Sequence, residues 1–199
     1  MDIEFEAKFP DIDKDKLRKK LKALGAVLVK PEFFQKRVVF FLPKGHEIKD
    51  GYLRVRDEGD RITMSLKVVN GDKIQDQKEI MLIVDDFENS KKFLLSIGCI
   101  EKAYQETKRE LWKLDGVEIT LDEWPFLEPF IEIEGISEEK VKEVSEKLGF
   151  DWEDTIFGAV DVLINKKYGV PYDVINNETP RIIFGGENPW SNWLEKNKK

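Results

Sequence analysis

The feature that most constrains this chain is a period-two alternation in which ionised side chains stand singly between apolar neighbours. In Ile3-Glu4-Phe5-Glu6-Ala7-Lys8-Phe9 the period puts Glu4, Glu6 and Lys8 on one face of a strand and Ile3, Phe5, Ala7 and Phe9 on the other. Leu53-Arg54-Val55-Arg56, Leu66-Lys67-Val68, Leu121-Asp122 and Phe130-Ile131-Glu132-Ile133-Glu134 repeat the plan. A helix cannot gather such a pattern onto one stripe, whereas an antiparallel sheet sorts it into an apolar face and a charged face.

Segments of strand character are Ile3–Phe9, Phe33–Leu42, Gly51–Arg56, Arg61–Val69, Gln75–Val84, Thr107–Leu114, Val117–Asp122 and Phe130–Gly135, rich in β-branched and aromatic residues. Asp57-Glu58-Gly59-Asp60, Asn70-Gly71-Asp72 and Asp115-Gly116 read as hairpin connections. About eight strands follow, and an antiparallel sheet of that size either curls into a barrel or stays open under helices. Three helices are expected from an acidic or hydroxyl start to a closing glycine: Asp13 to Gly25, Asp86 to Gly98 and Ser137 to Gly149. Each carries one apolar face, which the apolar side of the sheet can receive. A fourth helix is read over about Glu153 to Tyr168. From Val170 onward Pro171, Pro180, Pro189, Gly185-Gly186, Trp190 and Trp193 suggest an extended arm, giving a main domain over 1–169 and an arm over 170–199 that packs back on it.

One strand with a charged face is explained by solvent, but the set is sorted. The first and last acidic strands offer two carboxylates each at i, i+2, while Arg54, Arg56, Lys67 and Arg109 stand on strands between them. If the sheet closes with its apolar face under the helices, the charged face lines a tunnel with an acidic and a basic wall. Glu4, Glu6, Asp122, Glu132 and Glu134 brought together call for a cation, and oxygen ligands without His or Cys suit Mg²⁺ or Mn²⁺. Arg and Lys opposite them suit phosphate oxygens. Together these are the parts for reaction at a polyphosphate, where catalysis is mostly positioning and charge stabilisation.

The balance of 33 Lys+Arg against 40 Asp+Glu gives a net charge of −7, which disfavours a nucleic acid polymer as partner. A single cysteine, Cys99, excludes a disulfide framework or cysteine zinc cluster and fits a reducing compartment. The N-terminus has no secretory pattern and no stretch is long and apolar enough for a membrane helix, so a cytoplasmic location is expected. His46 reads as a surface residue, and Trp124-Pro125-Phe126 as a packed loop.

Glu4-Phe5-Glu6-Ala7-Lys8 also resembles the Glu-x-Glu-x-Lys signature of the CYTH superfamily, the triphosphate tunnel metalloenzymes. Leu53-Arg54-Val55-Arg56, Ser65-Leu66-Lys67, Gln77-Lys78-Glu79, Lys108-Arg109-Glu110-Leu111-Trp112, Leu121-Asp122 and Glu132-Ile133-Glu134 resemble its later strands in family order. The resemblance implies an α+β fold in which an eight-stranded antiparallel tunnel carries helices on its outside. It implies Glu4, Glu6, Asp122, Glu132 and Glu134 on the Mg²⁺ or Mn²⁺ side, with Lys8, Arg54, Arg56, Lys67 and Arg109 holding a triphosphate and Glu79 facing inward. Glu6, Glu132 and Lys8 are the expected catalytic residues. The strand after Gln35 lacks the Asp and Tyr common in the family, and Thr107 and Met81 stand where some members carry a lysine and an acid. The expected activity is hydrolysis of a triphosphate. The alternatives are class IV adenylyl cyclase chemistry on ATP, and a non-catalytic polyphosphate- or nucleotide-binding protein. No membrane partner is expected, and monomer and homodimer both remain open.

Overall fold

The computed structural model describes residues 1–196. The strands are β1 (Asp2–Ile3), β2 (Phe5–Phe9), β3 (Val27–Phe41), β4 (Gly51–Asp57), β5 (Ile62–Val69), β6 (Gln77–Val84), β7 (Ile100–Leu114), β8 (Val117–Glu123), β9 (Phe130–Gly135) and β10 (Arg181–Ile182). The helices are α1 (Lys14–Ala23), α2 (Phe87–Ser96), α3 (Glu138–Lys147), α4 (Asp161–Tyr168), α5 (Tyr172–Asn177) and α6 (Ser191–Lys196). The spatial order is β1-β6-β5-β4-β3-β7-β8-β9-β2, antiparallel throughout.

Since β1 and β2 are successive stretches of one chain, interrupted at Glu4, that order returns to its starting point. The result is a nearly closed barrel whose seam is the N-terminal strand: Asp2 and Ile3 pair with Glu79 and Lys78, whereas Phe5 to Phe9 pair with Gly135 to Ile131. The ten strands exceed the eight expected because of this split and because of β10. The short β10 runs parallel to β7 at Tyr104 and Gln105, where β8, whose pairing with β7 begins at Lys108, has already left off. Strands β3 and β7 are each 15 residues, longer than their alternation suggested. They pair along their length with register shifts on both sides of Lys30, where Pro31 has no N–H to give the ladder.

Apolar side chains decide which face of the barrel is outside. Ala7, Phe9, Trp112, Ile119, Leu121, Ile131 and Ile133 point outward into a buried cluster with Leu17 and Leu21 of α1 and Val141, Val144 and Leu148 of the α3 segment. Val38, Phe40 and Val55 meet Phe87 and Leu94 of α2 in the same way. Each fully buried side chain of this kind contributes about 1.5–3 kcal/mol, so a one-residue slip of any stave would forfeit several and is excluded. The helix starts are capped as expected: Asp13 accepts from Asp15 and Lys16, Asp86 from Asn89, and Ser137 from Lys140. Gly25 and Gly149 follow the first and third helices at φ 80°.

The expected fourth helix is corrected. Only Asp161–Tyr168 is α-helical; Trp152–Asp154 is a single 3₁₀ turn and Ile156 is extended. Ile156 exchanges both backbone hydrogen bonds with Lys8, and Gly158 at φ 101° breaks any helical path. After Gly169, Val170, Ile175, Ile182 and Trp190 are buried with Trp124, Phe130, Leu163, Ile164 and Tyr168. Val160, Ile164, Ile175 and Ile182 also line the barrel cavity, so this segment forms part of its wall. His46 is exposed and Cys99 buried. Among the described residues no helix is long and apolar enough to cross a membrane.

Candidate active site in the barrel lumen

With the apolar alternates held outside, the charged alternates have only the lumen, a cavity of about 420 Å³, within the range of small-molecule sites. The cross-strand registers sort them. Glu6 lies opposite Glu134 and Lys8 opposite Glu132 on β2–β9; Glu118 faces Glu134, and Asp122 is set opposite Arg109 on β8–β7. On the other side Arg37 lies opposite Arg56, and Lys67 opposite both Tyr52 and Glu79. One wall is therefore acidic and the other basic.

Every one of the expected site residues except Glu134 is held by an ion pair in the described structure. Lys67 Nζ stands 2.9 Å from Glu4 Oε2, and Arg54 Nη2 2.8 Å from Glu79 Oε1. Arg56 Nη2 is 2.6 Å from Glu58 Oε1. Arg109 grips Asp122 with two hydrogen bonds of 2.7 and 2.8 Å and also pairs with Glu132. Thr120 Oγ1 donates to Asp122 at 2.7 Å. Lys8, grouped in sequence with the phosphate-holding cations, stands on the acidic side: it pairs with Glu6 and lies 3.6 Å from Glu132, and its third partner is the Gly158 carbonyl at 2.7 Å.

Burial and crowding leave the acidic wall short of positive charge. Burial, together with Glu79 and Glu6 and against Lys67, pushes Glu4 up to about 8. Burial and the neighbouring Glu6 push Glu134 up to about 7. Asp122 is raised to about 6 by burial and Glu132 despite Arg109. Burial acts on Glu132 as well, but Arg109, Lys8 and Lys67 overcome it and hold this carboxyl far below the usual range. Among the described residues no three acids stand close enough to chelate one ion, and all of the acidic wall's expected ligands but Glu134 are drawn toward a cation of the chain. The donor set is nevertheless all carboxylate, and burial keeps Glu4, Asp122 and Glu134 raised even where Lys67 or Arg109 stands beside them, so the wall suits a hard divalent cation.

The basic wall shows the complementary deficit. Arg37 Nε, Arg54 Nε, Arg56 Nε, Gln35 Nε2 and Thr63 Oγ1 are buried without a hydrogen-bond acceptor. Buried donors left in this way cost about 1–3 kcal/mol each, a cost that an anion in the lumen would remove. Arg37, Gln35 and Thr63 were not among the residues expected from sequence. The packing of Val38 and Phe40 on the outside turns Gln35 and Arg37 inward, but in the sequence the consecutive charges Lys36-Arg37 mask that parity.

The sequence matches the CYTH domain family over residues 2–156. A protein of Methanocaldococcus jannaschii, provisionally named an adenylate cyclase, is 27% identical over 146 residues, which are 73% of this chain and 81% of that protein. The solved structure of a provisionally named adenylate cyclase of Vibrio parahaemolyticus superposes with a TM-score of 0.70 at 12% identity, covering 82% of this chain and 98% of the other. A Hippeastrum protein, provisionally named an adenylyl cyclase and described as having a dominant triphosphatase activity, superposes with a TM-score of 0.59 at 16% identity over 87% of this chain and 99% of its own. At such identities these two structures speak for the fold alone. The family match takes in every antiparallel stave of the barrel and every residue of both charged walls, and the chain belongs to the CYTH domain family.

Proposed function

We propose that this protein is a Mg²⁺- or Mn²⁺-dependent hydrolase of a triphosphate bound in the lumen. The observation that carries the reading is the pairing of an acidic wall short of cations with a basic wall whose buried donors lack acceptors. A metal–triphosphate complex satisfies both deficits at once. Arg54, Arg56, Lys67 and Arg109 bind the phosphate chain and give up their present carboxylate partners to do so. Glu4, Glu6, Asp122, Glu132 and Glu134, so released, would hold the divalent ion, with Glu79 adjoining through Arg54. What that ion supplies when bound is neutralisation of charge on the phosphate oxygens. Glu6 or Glu132 takes the proton of the attacking water, and Lys8, hydrogen-bonded to Glu6, ion-paired with Glu132 and anchored on the Gly158 carbonyl, fixes their orientation.

A second reading has its own observation. The cavity is lined by Val39, Ala103, Ile164, Ile175 and Ile182 beside the amides of Gln105 and Asn176, an environment suited to a nucleobase. With ATP so placed, the ribose 3′-hydroxyl replaces water as the nucleophile and cyclic AMP and pyrophosphate are the products, in keeping with the adenylate cyclase names of the relatives. Incubation with ATP, GTP, thiamine triphosphate or tripolyphosphate and either metal, followed by product identification, separates the readings. Orthophosphate release supports hydrolysis and cyclic AMP supports cyclisation. Metal-dependent binding without any product would make the chain a triphosphate-binding protein and defeat both.

A further inference from the structure

Away from the lumen, one strand of the barrel has an open edge. β1 reaches β6 only at Lys78 and Glu79, and on that side Ile80, Met81, Leu82, Ile83 and Val84 have no strand beside them. The Glu4 N–H donates to the Gln77 carbonyl at 3.0 Å, so the main chain of Gln77 faces β1. Alternation then turns the N–H and C=O groups of Met81 and Ile83 to the open side, while β5 takes those of Ile80, Leu82 and Val84. Among the described residues no backbone group bonds to that open row. Its side chains are bare as well: Ile80 and Met81 are each 46% exposed, Leu82 53% and Ile83 74%. Five consecutive apolar residues on an exposed edge, with no charge or proline among them, are what soluble proteins avoid unless the edge has a partner.

We infer that the partner is a second copy of this chain, joined β6 to β6 across a two-fold axis at Leu82, so that the sheets of two barrels become continuous. Three features select this occupant. The open stretch runs from Ile80 to Val84, bounded by Glu79, where β1 ends, and by Asp85, where the chain bends away into α2; the same stretch of a second copy, run antiparallel, fills it. In that register Met81 of each copy lies opposite Ile83 of the other, so the free main-chain groups of one copy meet the free groups of the other. The ends of the run also match in charge. Lys78 precedes it and Asp85-Asp86 follow it, and antiparallel pairing brings the lysine of each copy to the acidic end of the other. Leu82 is then covered by its own counterpart.

Sedimentation equilibrium of the full chain over about 1–200 μM tests the interface, since joining two edge strands gives a contact at the small end of the stable range. The wild type is expected to be a dimer that dissociates within this window. Leu82→Lys and Leu82→Glu each set like charges face to face on the axis, and each should weaken the dimer at least about hundredfold. An equimolar mixture of the two should recover it, because residue 82 of one copy then faces the opposite charge on the other. Ile83→Pro removes an N–H that the ladder with β5 does not use, and should give a monomer that still melts cooperatively; it serves if the Leu82 variants fail to fold. A wild type that is monomeric at 200 μM, the top of about the range expected for so small a contact, overturns the inference. A dimer unchanged by Leu82→Lys and Ile83→Pro is built on another face and overturns it too. Folded Leu82 variants that are monomeric alone and remain so when mixed would reject the axis at Leu82, and with it the inference.

Discussion

Replacing Lys8 by Met removes the one ammonium that serves Glu6, Glu132 and the Gly158 carbonyl together. Lys8 is 2% exposed, so water cannot take its place easily. Breaking a buried ion pair by deleting one partner costs about 3–5 kcal/mol, and because Glu132 keeps Arg109 the lower end applies, about 3 kcal/mol. For a chain of this size a change of 1 kcal/mol moves Tm by about 2–4 °C, so Lys8→Met should melt about 6–12 °C lower in EDTA near neutral pH. The same logic predicts a metal effect of opposite sign. Mn²⁺ placed among the orphaned carboxylates replaces the missing charge, so it should raise the Tm of the variant more than that of the wild type. Scanning calorimetry with and without Mn²⁺ measures both quantities. A variant that melts within about 2 °C of the wild type, or gains no more from Mn²⁺, would show that Lys8 does not hold the acidic wall together.

Arg54→Gln removes one forked donor from the phosphate wall; at about 1.5–3 kcal/mol for hydrogen bonds to a charged group, KM for the triphosphate should rise about 10- to 100-fold, read from steady-state kinetics. Glu110, outside the barrel, is held below the usual carboxylate range because Arg18 and the Trp112 indole overcome its burial. A lowered folded-state value stabilises above the unfolded value and is lost as pH falls through the folded one, so Glu110→Gln should cost about 1–2 kcal/mol at neutral pH. Thermal melts should show that cost shrinking below about pH 4. Deleting residues from 170 onward strips Ile175, Ile182 and Trp190 from Trp124 and Phe130, a loss of about 5–9 kcal/mol that rivals a whole domain's stability. The truncated chain should lose its cooperative melt and bind a hydrophobic dye; a cooperative melt near the full-length Tm would show that the wall does not depend on this segment.

Local alternation was enough to read the staves, their charged faces and three capped helices, since Ile3 to Phe9 or Phe130 to Gly135 carry their parity in their own residues. What alternation could not supply was pairing between distant segments. The seam at Glu4, where one strand leaves β6 for β9, depends on partners about 75 and 130 residues away in sequence. Ile156 illustrates the same limit: its neighbourhood has helical spacing, yet the backbone of Lys8 captures it as an extended bridge. In the site, Glu6, Glu132 and Arg54 were visible because single charges sit between apolar residues. Arg37 was not, because Lys36 beside it is charged as well and only the packing of Val38 and Phe40 under α2 settles which of the two turns inward. The position of Lys8 among the acids rather than the phosphate-holding cations is likewise a matter of side-chain reach that residue type does not reveal.

The most direct test of the charged tunnel is a crystal of the protein soaked with Mn²⁺ and tripolyphosphate, with the metal located by anomalous scattering. Manganese is expected inside the barrel among Glu4, Glu6, Asp122, Glu132 and Glu134, with the phosphate chain against Arg54, Arg56, Lys67 and Arg109. Manganese and phosphate found only on the outer surface, with the lumen ion pairs intact, would contradict it.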